Sequence, residues 1–163
     1  MKKKNTFNIS FVLTELLLLF VLSSSYGMIE ELPIEKLCDT SDLIVVARVI
    51  DKNINKVNIL NMVYVKDVLK GKWDKKQILF IKTGRPIIED TPVFPSPCTD
   101  VLLFLKRDRK GGFYINNLLQ GLMIINENGD LLGFGTGLTI KDIKKIIKSN
   151  EKRIQKPIKS YIY

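Results

Sequence analysis

The sequence predicts a mainly β fold, a small antiparallel barrel or sandwich closed by a C-terminal amphipathic helix. Three observations carry this. Short β-branched and aromatic runs recur between Leu43 and Phe134, separated by glycine, proline and asparagine turns. The apolar period then changes, and Ile140, Ile143, Ile146 and Ile147 fall on one helical face. Finally, 163 residues with 45% hydrophobic content suit one domain with a core of its own.

The elements follow in order. Lys2–Lys4, the apolar run Ile9–Leu22 and the small residues Ser23–Gly27 have the make-up of a secretory signal peptide, residues 1–27, cut after Gly27. Glu15 interrupts the apolar run. An uncleaved N-terminal membrane anchor is the alternative, but the run falls short of the ~20 residues that span a bilayer. The expected location is therefore secreted or extracytoplasmic, with residues 28–138 as the barrel domain.

Leu32–Ser41 reads as a short helix or turn. Leu43–Ile50 is almost continuously apolar, as in a strand covered on both faces. Asp51–Asn61 is polar and reads as a loop, and Met62–Leu69 as the next strand, ended by Lys70-Gly71-Lys72. Gln77–Thr83 makes a third strand. Gly84–Pro97 holds four of the six prolines and reads as a long irregular loop. Asp100–Arg107 and Phe113–Asn116 flank a turn at Arg109–Gly112. Leu122–Asn126 and Leu131–Phe134 flank Asn128-Gly129, a strong hairpin signal. Thr139 and Asp142 form a capping-box-like pair that starts a helix over Ile140–Lys152. Residues 139–163 are thus the C-terminal helix and a basic tail.

The absence of histidine excludes Ser-His-Asp and Cys-His hydrolase sites, histidine-ligated metals and the usual general base near neutral pH. Two cysteines alone do not make a four-ligand zinc site. No cofactor is expected. In an exported chain the default for Cys38 and Cys98 is a disulfide, with two buried free thiols as the alternative.

Gly133-Phe134-Gly135-Thr136-Gly137 invites a phosphate-loop reading, but Leu138 stands where the dinucleotide pattern wants its third glycine. A turn from barrel to helix accounts for it better. Glu89-Asp90 is an adjacent acidic pair, a spacing that seldom converges on one reacting atom. Ile87, Ile88, Val93 and Phe94 in the proline-rich loop, with Trp73 after the Gly71 turn, are the candidate binding loop. Packing against the barrel is the favoured reading of these side chains. The strand aromatics Tyr64, Phe80, Phe104, Phe113 and Tyr114 are expected mostly in the core.

Formal charge is +9, yet residues 139–163 hold eight of the 26 basic residues and two of the 17 acidic ones. The barrel segment is nearly neutral. Lys141, Lys144, Lys145, Lys148, Lys152 and Arg153 are the candidate contact to an anionic surface, with a solvated helix face as the plainer account. With an export signal, nucleic acid is not an expected partner.

Cys38-Asp39-Thr40-Ser41-Asp42 before the apolar strand Leu43–Val49, Val65–Gly71 ending in Lys-Gly, and Cys98 leading into Leu102–Leu105 and Phe113-Tyr114 together resemble netrin-like modules. These are oligosaccharide-binding-type (OB-type) barrels that include the tissue inhibitors of metalloproteinases. The resemblance covers roughly residues 32–125 and implies an OB-like barrel. It does not extend to the inhibitory mechanism, in which an N-terminal cysteine chelates zinc, because Cys38 lies ten residues beyond Met28. The expected function is an exported, non-enzymatic binding module whose partner is a protein or an envelope component. A protease-inhibitor-like protein acting through its loops and a small envelope enzyme using carboxylates are the alternatives.

Overall fold

The structure is a computed structural model that describes residues 31–54, 59–73, 78–83 and 92–155. The predicted signal peptide, Ile87, Ile88, Glu89-Asp90 and the tail beyond Gln155 lie outside the described residues. The chain runs α1 (Ile34–Thr40), β1 (Leu43–Ile54), β2 (Ile59–Lys70), β3 (Ile78–Thr83), β4 (Asp100–Arg107), β5 (Phe113–Ile115), β6 (Leu122–Ile125), β7 (Leu131–Leu132) and α2 (Ile140–Gln155). Single 3-10 turns occupy Leu118–Gly121 and Gly133–Gly135.

Strand order is β1-β2-β3-β5-β4-β6-β7, and β1 also pairs with β4. Strands β1, β2, β3, β5 and β4 therefore close into a five-stranded barrel consistent with an OB-like fold, and β6 and β7 extend from β4. One edge of β4 serves both β5, at Leu105–Arg107, and β6, at Val101–Leu103. The pairings are antiparallel except that of β3 with β5, where Ile81 lies beside Phe113. That parallel pair closes the barrel.

The continuous apolar runs of β1 and β4 are explained by two cores. Inside the barrel lie Leu43, Val45, Ala47, Val49, Val63, Leu79, Ile81, Val101, Leu103 and Leu105. The alternate residues Ile44, Leu102 and Phe104 point outward, where Leu37, Cys38, Met123, Leu131, Ile143 and Ile147 cover them. Helices α1 and α2 thus roof one stretch of the outer barrel wall, so both faces of β1 and β4 are dry there. Helix α2 begins with the predicted box. The Thr139 hydroxyl donates to Asp142 Oδ2 at 2.7 Å, the Thr139 N–H to the same oxygen at 3.1 Å, and the Asp142 N–H to Thr139 Oγ1 at 3.4 Å.

Several expectations need correction. The stretch expected as a loop at Asp51–Asn61 is largely strand, because β1 reaches Ile54 and β2 starts at Ile59. Asn61 is buried there and its amide is satisfied within the fold, donating to the Ile81 carbonyl at 3.2 Å and to Thr83 Oγ1 at 3.0 Å. The strand expected at Leu131–Phe134 stops at Leu132, since Gly133 takes a φ of +78° and starts a 3-10 turn.

The expected Cys38–Cys98 disulfide is absent: both cysteines are free, Cys38 buried and Cys98 exposed. Their positions explain it. Lys70, which pairs with Ile44, donates from Nζ to the Cys38 carbonyl at 2.7 Å, whereas the Cys98 N–H donates to the Val49 carbonyl. About 17 Å of strand β1 separates Ile44 from Val49, against the ~7 Å limit between bonded cysteine α-carbons.

Candidate binding face on the barrel

Strand β3 alternates strictly, with Leu79, Ile81 and Thr83 buried and Ile78, Phe80 and Lys82 outward. An exposed strand face is ordinarily polar. Here two of its three outward residues are large and apolar. On β2 their register partners point the same way: Ile78 lies opposite Tyr64, Phe80 opposite Met62 and Lys82 opposite Leu60. Tyr64 is also the partner of Arg48 on β1, and Met62 that of Asp51. On β5, Tyr114 follows Phe113 as Lys82 follows Ile81 in the parallel pair, so Tyr114 joins the same outer surface and faces Lys106 on β4.

The result is an uncovered apolar patch. Phe80 is 50% exposed, Tyr114 43%, Ile78 41% and Tyr64 37%, with Met62 and Leu60 partly buried between them. These values decide the matter, because a core side chain of this size is normally hidden. The apolar stripes of α1 and α2 are spent on the other wall, against Ile44, Leu102 and Phe104.

The rim is charged. Asp100 opens β4 opposite Arg48 and accepts from Arg48 Nε at 2.7 Å, Arg48 Nη2 at 3.0 Å and Lys66 Nζ at 2.8 Å. The Arg48 guanidinium bonded to it, and then Lys66, hold its carboxyl down at about 2. One carboxylate thus fixes two cations at the end of the Tyr64 row. Lys82 stands toward the other end of β3 and Lys106 beside Tyr114, and neither is in an ion pair among the described residues.

The predicted site residues are placed differently. Phe94 is buried in the barrel core, and Trp73 is half-buried, its ring edge-on to Phe113 with centroids 5.8 Å apart. Val93 is 66% exposed, so packing describes Phe94 and Trp73 but not Val93. The lysines of α2 are all on its solvent side, as is Arg153. Lys144 is tied to Asp67 of β2 at 2.8 Å and Lys145 to Asp142 at 3.0 Å, leaving Lys141, Lys148, Lys152 and Arg153 outside the described ion pairs.

The expectation that the strand aromatics are mostly core is corrected: Phe104 and Phe113 are buried, whereas Tyr64, Phe80 and Tyr114 are exposed. Sequence reasoning passed over this face. The available signal was Ile78-Leu79-Phe80-Ile81, apolar at both parities in a strand that proves to be covered on one side only.

No group of three or more Cys, Asp or Glu side chains converges as a metal site among the described residues. A cavity of about 30 Å³ between α1, the end of β2 and α2 is lined by Cys38, Asp39, Lys70, Ile147, Asn150 and Glu151. That volume suits a water rather than an organic substrate. Burial pushes the Cys38 thiol up to about 12, so it is not a nucleophile at neutral pH. No helix among the described residues is long and apolar enough to cross a membrane. Comparison with known protein families and with curated proteins returns no match.

Proposed function

We propose that this chain is an exported, non-enzymatic binding module on a netrin-like barrel, and that it engages its partner through the outer face of β2, β3 and β5. The observation that carries the reading is the contiguous exposed patch of Tyr64, Ile78, Phe80 and Tyr114. Patches of this kind on folded domains mark interaction sites. The leader pattern of residues 1–27 supports export, and the motifs around Cys38, Gly71 and Cys98 support the netrin-like resemblance.

The test is site-specific photocrosslinking in cells that make the protein natively. A Phe80→benzoylphenylalanine variant should give a discrete adduct, and a control with benzoylphenylalanine in place of the exposed Lys36 on α1 should not. No adduct at position 80, or equal labelling at both, would overturn the reading.

A second reading concerns α2, where Lys141, Lys148, Lys152 and Arg153 face solvent with no described ion pair. They suit weak contact with an anionic envelope surface. Replacing Lys141, Lys148, Lys152 and Arg153 together by Gln should then abolish a salt-sensitive association with envelope fractions, and an unchanged distribution would refute it.

A further inference from the structure

We infer that the β2–β3–β5 face receives a protein segment whose apolar side chains are flanked by carboxylates. This rests on the binding reading above and names the partner's chemistry.

The shape of the surface limits the choice first. The patch is the outer wall of a closed barrel, with β3 bonded along its length to β2 and to β5 at Ile81–Phe113, so it offers chiefly side chains rather than a concave pocket. Small molecules bind in concave sites. A patch on the outer wall of a barrel calls for a macromolecule.

The composition limits it further. Nucleic acids are held by stacking of bases on aromatic faces. Here the residues directly opposite Tyr64 and Phe80 are Ile78 and Met62, which have no ring to offer. Mixed aromatic and aliphatic centres with arginine at the margin are typical of protein–protein contacts.

Charge supplies the flanks. Arg48 and Lys66 are committed to Asp100, while Lys82 and Lys106 have no described ion-pair partner. Two such cations are too few to track a polyphosphate backbone, which needs many phosphate contacts. They suit carboxylates beside an apolar anchor, where charge fixes register and steers encounter. A second copy of this chain would bring Lys82 and Lys106 against themselves with only Asp51 beside the patch to answer them, so it matches this face less well than a segment rich in carboxylates.

The experiment uses the full mature chain and immobilised synthetic polymers: a random Glu/Tyr copolypeptide, poly-Glu, a Lys/Tyr copolypeptide, oligothymidylate and a polyuronate. The Glu/Tyr copolypeptide should bind, and Phe80→Ser or Tyr114→Ser, which leave every charge in place, should weaken it by about tenfold or more. Poly-Glu should bind less tightly and be unaffected by Phe80→Ser, reporting attraction to the chain's cations alone. Lys82→Gln with Lys106→Gln should flatten the salt dependence of Glu/Tyr binding. Thermal melts of the variants, all at exposed or half-exposed sites, confirm that they fold.

Binding to the Glu/Tyr copolypeptide that is indifferent to Phe80→Ser, or preference for the Lys/Tyr copolypeptide, overturns the inference. So does concentration-dependent dimerisation through Phe80. Phe80-dependent binding to oligothymidylate or polyuronate alone also overturns it, yet leaves the face a binding site. Failure of that broader reading shows separately, as the missing position-80 adduct.

Discussion

At Asp100 a single carboxylate serves two cations on two other strands, and its ionisation is therefore coupled to folding. Its pKa is held below the ordinary carboxylate value, so its contribution is present above about pH 4, the unfolded value, and lost as pH falls toward about 2. Asp142 is depressed to about 2 in the same way, first by the Thr139 hydroxyl and then by Lys145. Urea midpoints measured from pH 5 to pH 2 should fall for the wild type, and Asp100→Asn should remove part of that fall, leaving the share due to Asp142. An identical slope would mean that the Arg48 and Lys66 bonds do not form in solution. The cysteines give a second test on single residues. Cys98 is exposed and Cys38 is buried with its pKa pushed up to about 12. Under native conditions one thiol should react quickly with a disulfide reagent, and the other only after denaturation. Two unreactive cysteines would contradict that placement.

Among the elements, the turn after β2 depends on one glycine. Gly71 has a φ of +86°, and a β-carbon there would stand 2.3 Å from the Asp42 carbonyl oxygen. Two effects therefore combine, a left-handed backbone and a close approach to the residue preceding β1. Gly71→Ala should cost at least about 2 kcal/mol in a denaturant titration. The Lys-Gly ending of β2 was legible in sequence as a turn. The clash with Asp42 was not, because it depends on a neighbour 29 positions away. The same distinction holds at β3. Its existence follows from Ile78–Thr83 being apolar and β-branched, whereas the exposure of Ile78 and Phe80 depends on which wall the helices leave open. At α2 local information was sufficient: the Thr139–Asp142 box and the isoleucine stripe both lie within the segment they define.

Across the described residues, two cores share the strands β1 and β4, and the outer face of β2, β3 and β5 carries exposed apolar side chains. The two environments make opposite predictions for large apolar residues. Ile143 is fully buried beneath α2, so Ile143→Ala should cost about 2–4 kcal/mol through lost burial and the cavity it leaves. Phe80 is half exposed, and Phe80→Ser should cost less, about 1 kcal/mol, through the half of its ring packed on the sheet. Thermal or denaturant melts of the two variants compare them directly. Comparable losses would mean that Phe80 is covered in solution, and the binding face would go with it.

The order and kind of most elements, the closing helix with its cap, the two-sided burial of β1 and the near-neutral barrel are all written in the chain itself. Each rests on local periodicity, turn chemistry or counting, which act within a few residues. Tertiary packing was needed to place Cys38 near the start of β1 and Cys98 beside its middle, to put Asn61 inside a strand, and to gather Tyr64, Phe80 and Tyr114 on one open face. Those outcomes depend on strand register and on which wall the helices cover. Both are set by contacts between segments far apart in the chain, and an apolar residue looks the same in sequence whether its neighbours bury it or leave it bare.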